Sequence, residues 1–396
     1  MNITEIMNGV YYAGVNNRTA DVFEEMWPVP YGVSYNSYIV AGEQVALVDT
    51  VHISKCASFL SRISSIVGDQ KIDYLIINHM EPDHSGSLQL IKQRYPGIKI
   101  VGNAKTADMV KGYYGITEDV LVVKDKDTLD LGGGKTLRFF LTPMVHWPET
   151  MMTYVEGDGV LFSGDAFGCY GALNGAVVDS GMDIEAGMYF PEMYRYYSNI
   201  VAKYGAMVQN AIKKLSALQV EYICPTHGPV WHERAAEVVA LYGAMGRWEA
   251  EPGVVIAYGS MYGNTEEVAE AIAVELARLG VKKIKVYNLS HTHYSYVLAD
   301  IMRYKGLIVG APTYNNSLFP PMENLLHALA LRDVKNRTLA YFGSYTWAAA
   351  ATKRIAAETE GMKVNVVGVP LDVKQAPGKD ALEACKAIAK SVAESL

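Results

Sequence analysis

The stretch Ile76-Ile77-Asn78-His79-Met80-Glu81-Pro82-Asp83-His84-Ser85-Gly86 constrains this chain more than any other. It continues the apolar run Tyr74-Leu75-Ile76-Ile77, so it reads as a strand, a short polar turn and a helix start. Two histidines and two carboxylates fall within six residues of that turn. A strand end backed by a rigid sheet can aim several such side chains into one pocket. His-x-Glu-x-Asp-His is too rich in metal donors for an ordinary surface turn, so the fold needs a sheet whose strands end at a pocket.

Three later loops at the ends of apolar strands carry one further donor each. Lys135 to Leu141 leads to His146, the hairpin Met152–Val155 and Val160–Phe162 over Gly157-Asp158-Gly159 delivers Asp165, and Val220 to Cys224 ends at His227. Taken singly, each histidine is an ordinary hydrogen-bonded residue and Asp165 a turn cap. Their shared position at the C-terminal ends of strands, with Gly or Pro alongside, groups them with the opening motif. His52, His232, His291, His293 and His327 have no such setting. The set His79, Glu81, Asp83, His84, His146, Asp165 and His227 offers four nitrogen and three carboxylate donors. That exceeds one tetrahedral zinc and suits two ions with a shared bridge, with iron or manganese favoured over a thiolate-type site. Three carboxylates leave two divalent ions with about one net positive charge. Leu131-Gly132-Gly133-Gly134-Lys135-Thr136 superficially matches a phosphate loop, but position 129 is leucine and a strand follows, so it is a hairpin turn.

Near Glu249-Ala250-Glu251-Pro252-Gly253 the pattern changes to strands and helices in strict alternation, which divides the 396 residues into expected domains 1–250 and 251–396. The first reads as short strands in a sandwich, the second as a doubly wound parallel sheet with helices on both faces. Val254–Tyr258 is a buried-type strand, and Val268, Ile272 and Leu276 line one face of the helix after it. Between them Ser260, Met261, Tyr262, Gly263, Asn264 and Thr265 form a polar loop at a helix N-terminus, a ready anion site. No Gly-x-Gly-x-x-Gly appears, so a mononucleotide phosphate fits better than a dinucleotide. Two further strand-end loops, Pro312-Thr313-Tyr314-Asn315 and Ser344-Tyr345-Thr346-Trp347, carry aromatic and amide groups suited to a planar ring.

With these residues in view the chain resembles the flavodiiron proteins. The N-terminal region resembles the metallo-β-lactamase αββα sandwich, whose usual signature is His-x-His-x-Asp-His; Glu81 in place of the second histidine marks the flavodiiron branch. The loops with Ser260 to Thr265, Pro312 to Asn315 and Ser344 to Trp347 resemble those of a short-chain flavodoxin. The resemblance implies FMN and two non-haem irons, one held by His79, Glu81 and His146, the other by Asp83, His84 and His227, with Asp165 bridging. It also implies an oxidoreductase that takes electrons through FMN to reduce O2 to water, NO to N2O, or both. Trp147 and Tyr197 are candidates to line the substrate pocket, as is Trp27, near which some relatives carry a histidine. A zinc hydrolase would want histidine at 81 and no flavodoxin domain, and a pure electron carrier would not need seven metal ligands.

Partners follow in part from composition. A net charge of -7 without a basic run argues against nucleic acid and membrane surfaces. No stretch is apolar enough to span a bilayer, the first residues lack the features of a signal peptide, and Cys56, Cys169, Cys224 and Cys385 form no Cys-x-x-Cys pair, so the cytoplasm is expected. No rubredoxin-type cysteine pairs appear before Leu396, so a separate electron donor is expected, such as rubredoxin or a reduced deazaflavin. The resemblance implies a head-to-tail homodimer, or a dimer of such dimers, with the flavin of one chain facing the irons of the other.

Overall fold

A computed structural model of the chain describes residues 3–185 and 187–396. The residues group into two compact units, Met1–Tyr196 with Ala206–Gly243, and Tyr197–Gly205 with Ala244–Leu396. The joint between them thus falls before the expected 250/251, and a short insert from the first half belongs to the second unit. Hydrogen bonds show why. The Trp248 carbonyl accepts from Arg337 Nη1 at 2.9 Å and Asn336 Nδ2 at 3.0 Å, Asn199 Nδ2 donates to Ser295 O at 3.1 Å, and Arg332 Nε donates to Ser198 O at 2.7 Å.

The first unit is built on two sheets. Seven strands run in the order Thr4–Met7, Val10–Tyr12, Tyr38–Ala41, Val45–Val48, Tyr74–Ile76, Lys99–Gly102 and Val120–Val122. The first four are antiparallel and the rest add in parallel. The second sheet orders Thr128–Asp130, Thr136–Leu141, Met151–Val155, Val160–Gly164 and Tyr222–Pro225, antiparallel except for the last pair. Their inner faces pack together: Tyr38 lies 5.1 Å from Phe162 between ring centroids, and its hydroxyl donates to Pro225 O at 2.6 Å. Strands buried on both faces, such as Val45–Val48 and Met151–Val155, are continuous apolar or small runs, as burial by helices on one side and a sheet on the other demands. The helix Cys56–Val67 buries Cys56, Phe59, Ile63 and Val67, which lie within a narrow arc at 100° per residue. The helical region after residue 188 is broken: Tyr189–Tyr196 is α-helical, Tyr197–Val201 π-helical, and Gly205–Leu215 α-helical again.

The second unit is a parallel sheet in the order Ile284–Asn288, Glu251–Tyr258, Tyr304–Tyr314, Lys335–Tyr345 and Lys363–Val366, with Leu371–Lys374 also pairing to Lys335–Tyr345. In sequence terms this is 2-1-3-4-5, so the direction of winding reverses between Glu251–Tyr258 and Tyr304–Tyr314, where such sheets bind ligands at their C-terminal edge. Val268, Ile272 and Leu276 of the helix Asn264–Arg278 face the core, as their spacing predicts, and pack with Cys385, Ile388 and Val392 of the helix Lys379–Ala393. Among the described residues no helix is long and apolar enough to cross a membrane.

Candidate functional site

The turn after Tyr74–Ile76 is shaped by its own residues. Pro82 opens the short helix Pro82–Ser85, Ser85 Oγ donates back to Met80 O at 2.7 Å, and Thr50 N and Oγ1 donate to His84 O at 2.8 and 2.6 Å. Gly86 is required here, since a Cβ would stand 2.3 Å from Pro82 O. Beneath the turn, buried Asp49 accepts from Asn78 N, Asn78 Nδ2 and His79 N. Asp165 and His227 leave the adjacent parallel strands Val160–Gly164 and Tyr222–Pro225, which are tied where Thr226 N donates to Gly164 O at 3.0 Å.

All seven expected donors converge. His79, Glu81, His146 and Asp165 form one cluster, and Asp83, His84 and His227 the other, with the donor atoms of each cluster within 4.8 Å of one another. Asp165 faces both. Its Oδ2 lies 2.9 Å from His146 Nε2 and 3.4 Å from His79 Nε2, whereas Oδ1 lies 3.0 Å from His84 Nε2 and 3.8 Å from His227 Nε2. Glu81 Oε2 is 3.2 Å from His79 Nε2 and 3.1 Å from His146 Nε2, and Asp83 Oδ2 is 3.2 Å from both His84 Nε2 and His227 Nε2. Although these atoms are close, both oxygens of Asp83, His84 Nε2 and His227 Nε2 are buried without a hydrogen bond. Their lone pairs point toward a shared centre rather than at each other. Donors about 3 Å apart are what metal–ligand bonds of about 2.0–2.2 Å at roughly right angles produce, so the donor set fits a pair of metal ions.

Charge in the cluster is arranged for cations. Burial disfavours an ionised carboxylate at Asp165, yet His84 and His79 hold it well below the usual range. Burial likewise opposes a charged imidazole, but Asp83 and Asp165 push His84 up to about 9, and Asp165 and Glu81 push His146 up to about 9. Protons on these histidines occupy the charge that divalent ions would supply.

The expected pocket residues fare differently. Trp147 stands edge-on to His79, 5.3 Å between ring centroids, and lies 6.4 Å from His146. Trp27 is buried, with its Nε1 donating to Glu24 Oε2 at 2.9 Å. Tyr197 belongs to the π-helical insert of the second unit, so it is not grouped with the ligands. Three rings of the first unit stand against His227: Phe23 at 5.2 Å, Tyr196 at 5.6 Å and Tyr35 at 5.8 Å. Tyr196 also carries a buried hydroxyl without a hydrogen bond. Two more carboxyls beside the cluster escaped the sequence reading. Glu149 Oε1 lies 2.8 Å from His79 Nδ1, and Glu24 is pushed up to about 8 by burial and by the neighbouring Glu81 carboxylate. No pattern of donors marks Glu24, which comes from a distant part of the chain, whereas Glu149 follows His146 by three residues and its place beside that donor was a signal the sequence offered.

In the second unit a cavity of ≈ 450 Å³ opens at the C-terminal edge of the sheet, where the winding reverses. Thirteen of the fourteen expected residues line it: Ser260, Met261, Tyr262, Asn264 and Thr265, then Pro312 to Asn315, then Ser344 to Trp347. Gly263 is not among the lining residues; its φ of 95° supplies the left-handed turn that leads into the helix, and its N–H donates to Ser260 Oγ at 3.1 Å. Gln375 lines the cavity too and was missed, because Lys363 to Val369 reads as one strand while the structure adds Leu371–Lys374 after it. Tyr262 and Trp347 are 90 % and 85 % exposed, large aromatic faces free to stack on a planar ring. A neutral polar loop at a helix N-terminus and flanking aromatics fit a flavin mononucleotide.

A β-lactamase-like sandwich with a paired metal cluster, followed by a flavodoxin-like domain, defines a class of diiron flavoproteins. Residues 33–228 match the family described as ODP family beta lactamase, and residues 256–388 match Flavodoxin. The anaerobic nitric oxide reductase flavorubredoxin of Shigella dysenteriae is 32% identical over 393 residues, covering 98% of this chain and 81% of that protein. The solved rubredoxin oxygen:oxidoreductase of Desulfovibrio gigas superposes with a TM-score of 0.95 at 29% identity over 100% of this chain and 98% of that one. The flavodiiron protein of Giardia intestinalis gives 0.94 at 25% identity, covering 100% and 96%. The chain belongs to the flavodiiron proteins, an oxidoreductase family whose cofactors are FMN and a non-haem diiron centre.

Proposed function

We propose that this protein takes electrons through FMN and reduces O2 to water, NO to N2O, or both, at irons held by His79, Glu81, His146 and Asp165 on one side and Asp83, His84, His227 and Asp165 on the other. The observation that carries this is the disposition of Asp165, one oxygen toward each cluster, in a chain that also holds a flavin-sized cavity. The diiron centre and reduced flavin each supply two electrons, together the four that complete reduction of O2 requires.

The chain's own residues set the conditions for that chemistry. Three carboxylates offset most of the charge of two divalent ions, and the burial of Asp83 and Asp165, with Glu81 half-buried, limits the access of bulk water to the donor atoms. Trp147 and Tyr196 pack against opposite clusters and confine the space above them. Glu24 stands beside Glu81 with its carboxyl pushed up by burial, a group suited to carrying protons to the site. In the second unit, the N–H groups and hydroxyls of residues 260–265 receive the phosphate, and Tyr262, Tyr314 and Trp347 flank the ring. Electrons come from a separate donor, a rubredoxin or a reduced deazaflavin, and the active form is a head-to-tail homodimer or a dimer of dimers in the cytoplasm. The names of the relatives, a flavorubredoxin and a rubredoxin oxygen:oxidoreductase, support the rubredoxin-type donor.

The deciding measurement is anaerobic: the purified protein is photoreduced, then mixed with O2 or NO, and consumption and N2O are followed. Turnover of at least one gas with two irons and one FMN per chain is expected. Two zincs with neither gas consumed would overturn the reading.

A further inference from the structure

We propose that Glu149 is a positioning residue for the diiron reaction, fixing the ring of His79 and making the iron of that cluster the electron-richer of the two. The inference rests on the assignment of His79 as an iron ligand and adds a residue outside the seven donors.

Glu149 follows His146-Trp147-Pro148 in the loop before the strand Met151–Val155. Its side chain and that of His79 are fully buried. One carboxylate oxygen, Oε1, lies 2.8 Å from His79 Nδ1 and accepts from Met80 N at 2.8 Å. The Glu149 backbone is held as well, since its carbonyl accepts from Asn103 Nδ2 at 2.5 Å, and Asn103 Oδ1 caps the helix Ala104–Tyr114. A carboxylate at Nδ1 leaves the proton there and the lone pair on Nε2, the atom facing Glu81 and Asp165. Glu149 Oε2 is buried without a hydrogen bond, and His79 is its only ion-pair partner among the described residues. The negative charge therefore acts on the His79 ring rather than being spread over lysine or arginine.

The other cluster lacks this support. His227 Nδ1 lies 2.7 Å from Ser34 O, a neutral backbone acceptor, and His84 Nδ1 is buried with no hydrogen bond. A carboxylate partner raises the donor strength of an imidazole more than a carbonyl does, because charge-assisted hydrogen bonds are the stronger. The iron of the His79 cluster should then hold its oxidised state more firmly than its neighbour.

Glu149→Gln isolates this effect, because an amide oxygen at the Oε1 position can still accept from His79 and Met80 while the charge is lost. Iron titration of the metal-free protein and an EPR-monitored redox titration of the loaded holoenzyme would be compared with wild type. In E149Q one of the two irons should bind about 10–100-fold more weakly. One iron couple should also shift by at least about tenfold toward reduction, some 59 mV positive. Glu149→Asp, which keeps the charge but withdraws it by one methylene, should lie between E149Q and wild type in both readouts, and carries the test if E149Q does not fold. Wild-type affinity and potential in the folded variant would overturn the proposal. A His79→Asn variant with unaltered iron binding would instead overturn the ligand assignment beneath it.

Discussion

At position 81 a carboxylate stands where hydrolases of the β-lactamase fold resemble one another in carrying an imidazole. Glu81 Oε2 lies within 3.2 Å of both His79 Nε2 and His146 Nε2, so a histidine introduced there would add a third nitrogen to that cluster. Borderline-soft nitrogen donors favour zinc over a harder ion. Glu81→His should therefore lower iron affinity by at least about tenfold, the lower end of what even outer-shell changes cost, and raise the zinc content; metal analysis of protein grown with both metals would show it. The raised histidines add a pH dependence. In the metal-free protein His84 and His146 rise from 6.5 to about 9, so the stability they contribute is fully present below about pH 6.5 and lost as pH climbs through about 9. Metal binding must displace those protons, and each cluster contains one of the two residues. Iron affinity should thus climb by about tenfold per pH unit at the His84 cluster up to roughly pH 9, and more steeply at the other, where, against burial, Asp165, Glu149 and Glu81 hold His79 well above the usual histidine range as well, measurable by competition with a chelator of known pH dependence. Affinity independent of pH between about 7 and 8 (about one to two units below the shifted values) would contradict the arrangement.

Elements matter because they bring the ends of strands to one place. The flavin cavity depends on the strand Tyr304–Tyr314, within which Gly310 pairs with Phe342: a Cβ on Gly310 would stand 2.1 Å from the Phe342 ring. Phe342 is fully buried in the core of the second unit, so neither atom can yield without displacing a strand. Gly310→Ala should cost about 1–3 kcal/mol by overpacking and reduce FMN retention, read by thermal unfolding and flavin absorbance. Within elements the sequence pattern was legible: the period of Val268, Ile272 and Leu276 marks the buried face of Asn264–Arg278. Near residues 189–215 it was less so, because a run of helix-compatible residues does not reveal the π-helical insertion at Tyr197–Val201. One extra residue in a turn rotates everything after it, and this insertion places Tyr197 in the second unit while Tyr196 packs on His227.

On the scale of the whole molecule, each candidate site belongs to one compact unit, the donor clusters to the first and the cavity proposed for FMN to the second. A ligand that binds only the folded state stabilises it by about 2.7 kcal/mol at a hundred times its dissociation constant. Calorimetry should accordingly show two separable effects: chelating iron lowers the transition of the first unit, and removing FMN lowers that of the second. A single transition shifted equally by either treatment would show instead that the units unfold as one.

The sequence by itself determined the order of the two folds, and it singled out the seven side chains that the structure gathers into two clusters and nearly all of the loop residues that line the cavity of the second unit. Those features are local: a strand ends, a turn follows, and the chemistry of the turn lies within a few residues of a readable period. Only the tertiary structure decided that Asp165 presents one oxygen to each cluster, that Glu149 stands behind His79 from seventy positions away, and that Phe23, Tyr35 and Tyr196 pack against His227. Such choices depend on the approach of distant segments and on helix phase to within one residue. Side-chain direction changes by about 100° with each helical position, so an uncertainty of a single residue, harmless to the fold, reassigns which group faces the cluster.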